Sequence, residues 1–220
     1  MSALVAAGIG ALVCGVAGAL WPRFLPWFAS RSEEAAEQPG WTMRFTRAPL
    51  MACAGAVFGG AVGASFGARW PLLPALALVV LLLGISAVDL RYRIIPNRLT
   101  GPGVLIGLAL GIAVAPDRWL ELLIATVVAT LLLLVCAIIS PAGMGMGDVK
   151  LVGMLGAFLG AAVSVAMMLG LFLAALPSIL LLVRHGRGAR GMTFGLGPFL
   201  ALGAILALVW GDGVIDWYLN

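Results

Sequence analysis

The sequence predicts an all-α fold, a polytopic membrane helix bundle of about eight transmembrane helices with both termini outside the cytoplasm. Three observations predict it. The chain's 220 residues are 63% hydrophobic and only 10% charged, with a mean hydropathy of +1.14, a composition foreign to ordinary soluble domains. Apolar runs recur near the roughly 20-residue length of a helical span, whereas outer-membrane strands would show short alternating segments. Lys and Arg also collect in alternate connections, as they do where loops face the cytoplasm.

In chain order the predicted spans are residues 2–22, 48–68, 71–89, 98–115, 119–139, 149–161, 163–183 and 193–211. No basic residue precedes the first span, unlike the positive start of a secretory signal, so it reads as a permanent helix. The longest polar stretch follows, about residues 23–47, with Pro26, Pro39, Gly40 and three glutamates. It reads as a cytoplasmic loop within one membrane domain covering residues 1–220. Gly103, Gly107 and Gly111 repeat every four residues on one face of the fourth span, a pattern that allows close helix approach. Residues 149–183 are too long for one upright span, and Gly160-Ala161-Ala162 offers a place to reverse.

With these spans, Arg23, Arg31, Arg44, Arg47, Arg91, Arg93, Arg98, Lys150, Arg184, Arg187 and Arg190 fall on the cytoplasmic side, and Arg69 and Arg118 on the other. The net charge of +4 then reflects topology and contact with anionic lipid, and gives no argument for nucleic-acid binding. Among the acids, Asp117, Glu121, Asp212 and Asp216 fall outside, while Glu33, Glu34 and Glu37 lie in the polar loop. Only Asp89 and Asp148 stand at cytoplasmic helix ends. Cys14, Cys53 and Cys136 lie one to a span, without the paired spacing of zinc or disulfide sites. No metal and no cofactor are expected. His185, in Arg184-His185-Gly186-Arg187-Gly188, reads as a solvated loop residue.

An ionisable group beside hydrocarbon is costly and marks a functional position. Two carboxylates brought together can share one proton, the ionised one drawing a proton from an attacking water and the protonated one donating to a carbonyl oxygen. Taken singly, either aspartate could instead be a boundary residue that reaches water or caps a helix. A proton-coupled transporter and a noncatalytic scaffold are the other classes open to such a chain, although a transporter site would sit nearer the membrane midplane.

Three blocks narrow the choice. They are Asp89 with Ile95-Pro96-Asn97-Arg98-Leu99-Thr100, then Gly145-Met146-Gly147-Asp148-Val149-Lys150-Leu151, then Phe194-Gly195-Leu196-Gly197-Pro198-Phe199-Leu200. In this order the blocks resemble the bacterial type IV prepilin peptidases, among the membrane aspartyl proteases with a Gly-x-Gly-Asp motif. The resemblance implies that Asp89 and Asp148 are a catalytic pair, and that the partner is a pilin-like precursor whose short basic leader is cut before an apolar helix. It implies a multi-pass protein of the bacterial cytoplasmic membrane, in contact with the lipid bilayer. An intramembrane aspartyl protease with a non-pilin substrate is the alternative within this chemistry. Many members also carry two Cys-x-x-Cys pairs in their first cytoplasmic loop and a second, N-methylating activity. The corresponding loop here has no cysteine, so the expected form is peptidase only.

Neighbouring residues are expected to shape the site. Gly143, Gly145 and Gly147 permit backbone angles denied to other residues. Pro96 is expected to end the helical geometry that follows Asp89, and Pro198 stands near the start of the eighth span. By its own helix ends, Asp148 is favoured to carry the pair's negative charge and Asp89 the shared proton, with Lys150 close enough in sequence to reinforce this. Fifty-nine residues separate the aspartates in sequence, and the pairing requires the third and sixth helices to meet.

Overall fold

A computed structural model describes residues 2–29, 47–67, 71–140, 145–185 and 195–219. The described residues form eight α-helices and no strand: α1 (Ser2–Ala29), α2 (Ala48–Phe66), α3 (Leu72–Tyr92), α4 (Asn97–Val114), α5 (Trp119–Ile139), α6 (Met146–Leu159), α7 (Val163–His185) and α8 (Gly197–Leu219). Single 3₁₀ turns, Pro116–Arg118 and Gly160–Ala162, lead into α5 and α7. Large apolar side chains on the outer faces of α1, α5 and α7, such as Leu12, Val128 and Phe172, stay exposed, as lipid-facing surfaces require. The predicted polytopic bundle is what the chain forms.

α3 is the central helix. Leu78, Val79, Leu82, Ile85 and Val88 are fully buried or nearly so, and α1, α2, α4 and α8 all pack around it. α6 is the second buried helix, enclosed by α4 and α5, while α7 pairs with α8. Close approaches fix the directions. Gly103 and Gly107 of α4 face Met154 and Phe158 of α6, so these two helices run parallel; Gly153 and Gly156 face Thr130 and Thr126, so α5 runs against them. Gly170 meets Leu200 and Gly211 meets Ala162, so α7 and α8 are antiparallel. Asp89 and Asp148 therefore share one end of the bundle, and the first residues of α1 and the last of α8 lie at the other.

The tightest seam is one the spacing of the sequence did not single out. Along the antiparallel α1–α2 hairpin, methyl groups on Gly10, Gly18, Gly55, Gly59 or Gly63 would overlap a backbone oxygen of the facing helix. Backbones this close exchange dispersion and weak Cα–H···O contacts, which drive helix association where lipid removes the hydrophobic incentive. The glycine stripe of α4 works differently, because Gly103, Gly107 and Gly111 form notches for the side chains of Met154, Phe158 and Leu122.

Several boundaries depart from expectation. α1 runs through Pro22 and Pro26 to Ala29, seven residues into the stretch read as loop; residues 30–46 lie outside the described residues. A proline inside a helix costs about 3 kcal/mol, and tertiary contacts offset it here. Leu25 is fully buried, the Trp21 indole seats on Gly84 and donates to the Val80 carbonyl at 3.0 Å. The Arg98 guanidinium lies 4.3 Å from the Trp27 ring centroid and donates to the Trp27 carbonyl at 3.2 Å. α3 continues three residues beyond Asp89 and α6 begins three before 149, so both aspartates sit inside first or last turns. α8 begins at Gly197, later than the expected 193, and runs on to Leu219, past the expected 211. Among the described residues, six segments are long and apolar enough to cross a membrane, one of them, Met146–Leu180, taking in both α6 and α7. Within it Gly160, at φ 58°, makes the turn that a residue with a Cβ would resist, and Glu121 closes that turn by accepting the Ala161 N–H at 3.0 Å.

The seam sets a direct expectation. Gly59→Ala should destabilise the bundle by about 1–3 kcal/mol through overpacking, whereas Gly8→Ala, with nothing within 4 Å of the added methyl, should stay within about 0.5 kcal/mol of the parent. Unfolding in detergent micelles, followed by helical circular dichroism, measures both.

Candidate active site

Asp89 lies in the last turn of α3 at 3% exposure, and among the described residues it is the one buried charged side chain. A buried carboxylate requires donors, and α8 provides one: the Gly197 N–H meets Asp89 Oδ2 at 3.0 Å. Gly197 is the first residue of α8, so the carboxylate also faces the positive end of that helix. The cradle has no room for side chains. A methyl on Gly195 would overlap the Asp89 carboxylate, and one on Gly197 would stand 2.7 Å from Oδ2.

α3 ends at Arg93, which adopts the left-handed conformation at φ 54° and ψ 35° and returns its N–H to the Asp89 carbonyl. An L-residue pays roughly 1–2 kcal/mol for this conformation. It turns the chain sharply enough that Ile94-Ile95-Pro96 cross from α3 toward α6. The helix is thus stopped by Arg93, not by Pro96 as expected. Pro96 stands four residues beyond α3's end in extended conformation and starts α4, its carbonyl accepting the N–H groups of Leu99 and Thr100.

Asp148 is the third residue of α6 after its cap Gly145, and its carboxylate lies beside the Gly145 backbone, with Oδ2 3.4 Å from where a Gly145 methyl would stand. An acid at this position is favoured by the positive end of its own helix. Gly147 brings α6 against the crossing segment, with its missing methyl 2.9 Å from Ile95 Cβ. Lys150 donates to Asn97 Oδ1 at 2.8 Å, so it ties α6 to α4 and does not serve Asp148 as expected. Through these contacts the half-buried Asp148 comes within electrostatic reach of Asp89, and so does Arg93.

Of the residues singled out from sequence, Asp89, Asp148, Gly145, Gly147, Lys150 and Pro96 gather at this end, and Pro198 follows Gly197 on the far side of Asp89. Gly143 lies outside the described residues. The sequence reading passed over Gly195, Gly197 and Asn97 as site residues. Gly195-Leu196-Gly197 before a helix echoes Gly145-Met146-Gly147 before Asp148, and that echo was the available signal. The assignment of charge by each aspartate's own helix was also incomplete, because Asp89 receives the N-terminus of a helix 108 residues away in the chain.

The chain is thus an all-helical membrane bundle with two carboxylates at one end, each set against a Gly-x-Gly helix start. Comparison with known proteins points to a class: residues 76–183 match the type IV leader peptidase family. The chain is similar to the prepilin leader peptidase/N-methyltransferase of Aeromonas hydrophila, at 32% identity over 79% of this chain and 62% of that protein. The protein of the same name from Bacillus subtilis is 32% identical over 73% of this chain and 64% of its own length. That from Pseudomonas aeruginosa is 31% identical over 79% and 62%. The chain thus spans less than two thirds of the length of these relatives. No solved structure matches it.

The contact between Gly147 and Ile95 is what brings α6 to the turn after α3, and a double-mutant cycle tests it. Gly147→Ala should cost about 1–3 kcal/mol in the parent, and at least about 0.5 kcal/mol of that should vanish in an Ile95→Gly background, which removes the Cβ that the added methyl would meet. Strict additivity of the two substitutions in unfolding measurements would contradict the packing described.

Proposed function

We propose that this chain is a membrane aspartyl endopeptidase that removes the short basic leader of pilin-like precursors. It works at the cytoplasmic face of the bacterial cytoplasmic membrane. The observation that carries this reading is the convergence of three separated sequence blocks on Asp89 and Asp148 at one end of the bundle. The described residues at that end include Arg23, Arg47, Arg91, Arg93, Arg98, Lys150 and Arg184, which supports assigning it to the cytoplasm. The match of residues 76–183 to the leader peptidase family and the names of the relatives support the substrate class.

In the proposed reaction the two carboxylates hold one proton between them. The ionised member accepts a proton from water as the water oxygen adds to the scissile carbonyl carbon, and the protonated member donates to the carbonyl oxygen. Collapse of the tetrahedral intermediate breaks the C–N bond, and the amine leaves with a proton returned from the pair. The Gly197 N–H, by holding Asp89 Oδ2, fixes the plane of that carboxylate so that no reorganisation is needed during attack. Asn97 and Lys150 hold α4 and α6 in register and so position the pair without touching substrate.

The relatives' names include a methyltransferase activity. The stretch of residues 23–47 contains no cysteine, which supports a peptidase-only form in which the new N-terminus is released unmodified.

Coexpression with a pilin-like precursor tests the proposal by precursor size. The unaltered chain should shorten the precursor, while Asp89→Asn and Asp148→Asn should slow cleavage at least about 10³-fold with normal membrane insertion. Equal processing by all three would remove the catalytic assignment. Gly195→Ala keeps both acids yet displaces the Asp89 carboxylate, and should lower kcat/KM by about 10²-fold. Gly101→Ala, where an added methyl meets nothing within 4 Å, should match the parent enzyme in the same assay.

A further inference from the structure

We infer that the apolar helix of the precursor docks in the membrane-facing groove between α2, α3 and α8, with its N-terminal end at Asp89. The inference rests on the peptidase reading above. α2 and α8 each pack on α3 but touch each other little, and they leave a lateral cavity of about 390 Å³ between them. Its mouth at the aspartate end is formed by Leu50, Leu90 and Pro198. Leu90 follows Asp89 in the chain and Pro198 follows Gly197, the two residues joined by the buried hydrogen bond. A chain leaving the groove at this end therefore passes the turn of α3 and the start of α8 that hold the carboxylate.

The groove is shaped for a helix. Its lining repeats at three- and four-residue intervals on each wall, as at Leu82, Ser86 and Leu90 of α3 and at Pro198, Ala201, Leu202 and Ile205 of α8. An apolar helix laid in such a channel presents residues at the same spacing. From Leu90 to Leu82 the groove runs eight residues along α3, about 12 Å or two helical turns. Ser86 supplies the only polar side chain in the lining, and the small Ala54 and Ser86 allow a close backbone approach of the kind that joins helices in lipid. A larger lipid-facing groove, about 610 Å³, lies between α5 and α7. It borders Glu121 and Ala161 at the opposite end of the bundle, so a helix there would lie away from both aspartates. Proximity to Asp89, not volume, selects the α2–α3–α8 groove.

Polarity follows from chemistry. The leader precedes the apolar helix, so the scissile bond must lie at that helix's N-terminal end. The docked helix then runs antiparallel to α3 and parallel to α8.

Photocrosslinking tests both the place and the direction. Benzoylphenylalanine replaces Leu202, which already faces the membrane at 37% exposure, in the full chain carrying Asp148→Asn, coexpressed with the pilin-like precursor used above. Irradiation should join it to the first two turns of the precursor's apolar segment, and the same probe at Val128 in the α5–α7 groove should yield at least tenfold less. Adducts of lipid alone at Leu202, attachment to the C-terminal half of the segment, or equal yields at the two positions would overturn the inference. Processing by the unsubstituted chain is measured in parallel. Processing without a precursor crosslink at Leu202 sinks the groove alone, whereas no processing sinks the peptidase reading itself.

Discussion

The hydrogen bond from the Gly197 amide to the buried Asp89 carboxylate is the constraint on which this end of the molecule depends. A carboxylate at 3% exposure in a bundle bounded by hydrocarbon is stable only where fixed dipoles replace its water. α3 cannot do this alone, because Asp89 sits in its last turn, where the carbonyl ends gather. The positive end of α8 takes over that task. Residues 195 and 197 must then be glycine, since a methyl at either would intrude on the carboxylate, and α8 must pack antiparallel to α3.

The second carboxylate is supported by different means. Asp148 uses the start of its own helix, sitting in its first turn beside the cap residue Gly145. Two acids thus each face a helix N-terminus, one local and one distant in sequence, and each N-terminus is introduced by a Gly-x-Gly. The convergence needs a connector, which is the turn from Arg93 to Pro96. The left-handed Arg93 redirects the chain, Ile95 fills the space left by Gly147, and the Lys150–Asn97 bond locks the arrangement one turn further along. Removing any of these contacts leaves both acids in place chemically and alters only their relation.

Much of this was legible in the sequence because membrane helices obey strong local rules. Length, apolarity and the sorting of basic residues yield the helices and the end to which the two aspartates belong, and α5 matches its expected span to the residue. Asp89 and Asp148 stood out because the cost of burying charge makes such residues rare. What the sequence hid depended on partners distant along the chain. Pro22 and Pro26 read as the end of a helix, yet Trp21, Leu25 and Trp27 are held by α3 and α4 strongly enough to carry α1 to Ala29. Lys150 read as a neighbour of Asp148 because only sequence distance was available. Gly195 and Gly197 read as part of a motif, and their need to be glycine appears only when Asp89 is set against them.

The α1–α2 hairpin falls outside residues 76–183, where the family match lies, yet it is mechanically joined to the site. Its glycine seam makes it a single stiff element, since neither backbone can shift without colliding with the other. That element is fastened at two heights. Trp21 seats on Gly84, five residues before Asp89 on α3, and Trp27 receives Arg98, which adjoins Asn97 at the start of α4. The second attachment bears on the same short segment that the Lys150–Asn97 bond holds from the opposite side. The turn between α3 and α4 is therefore gripped from α1 and from α6 at adjacent residues. A strained left-handed Arg93 persists only where its surroundings over-determine it, and its N–H bond to the Asp89 carbonyl on one side and the held start of α4 on the other are parts of those surroundings.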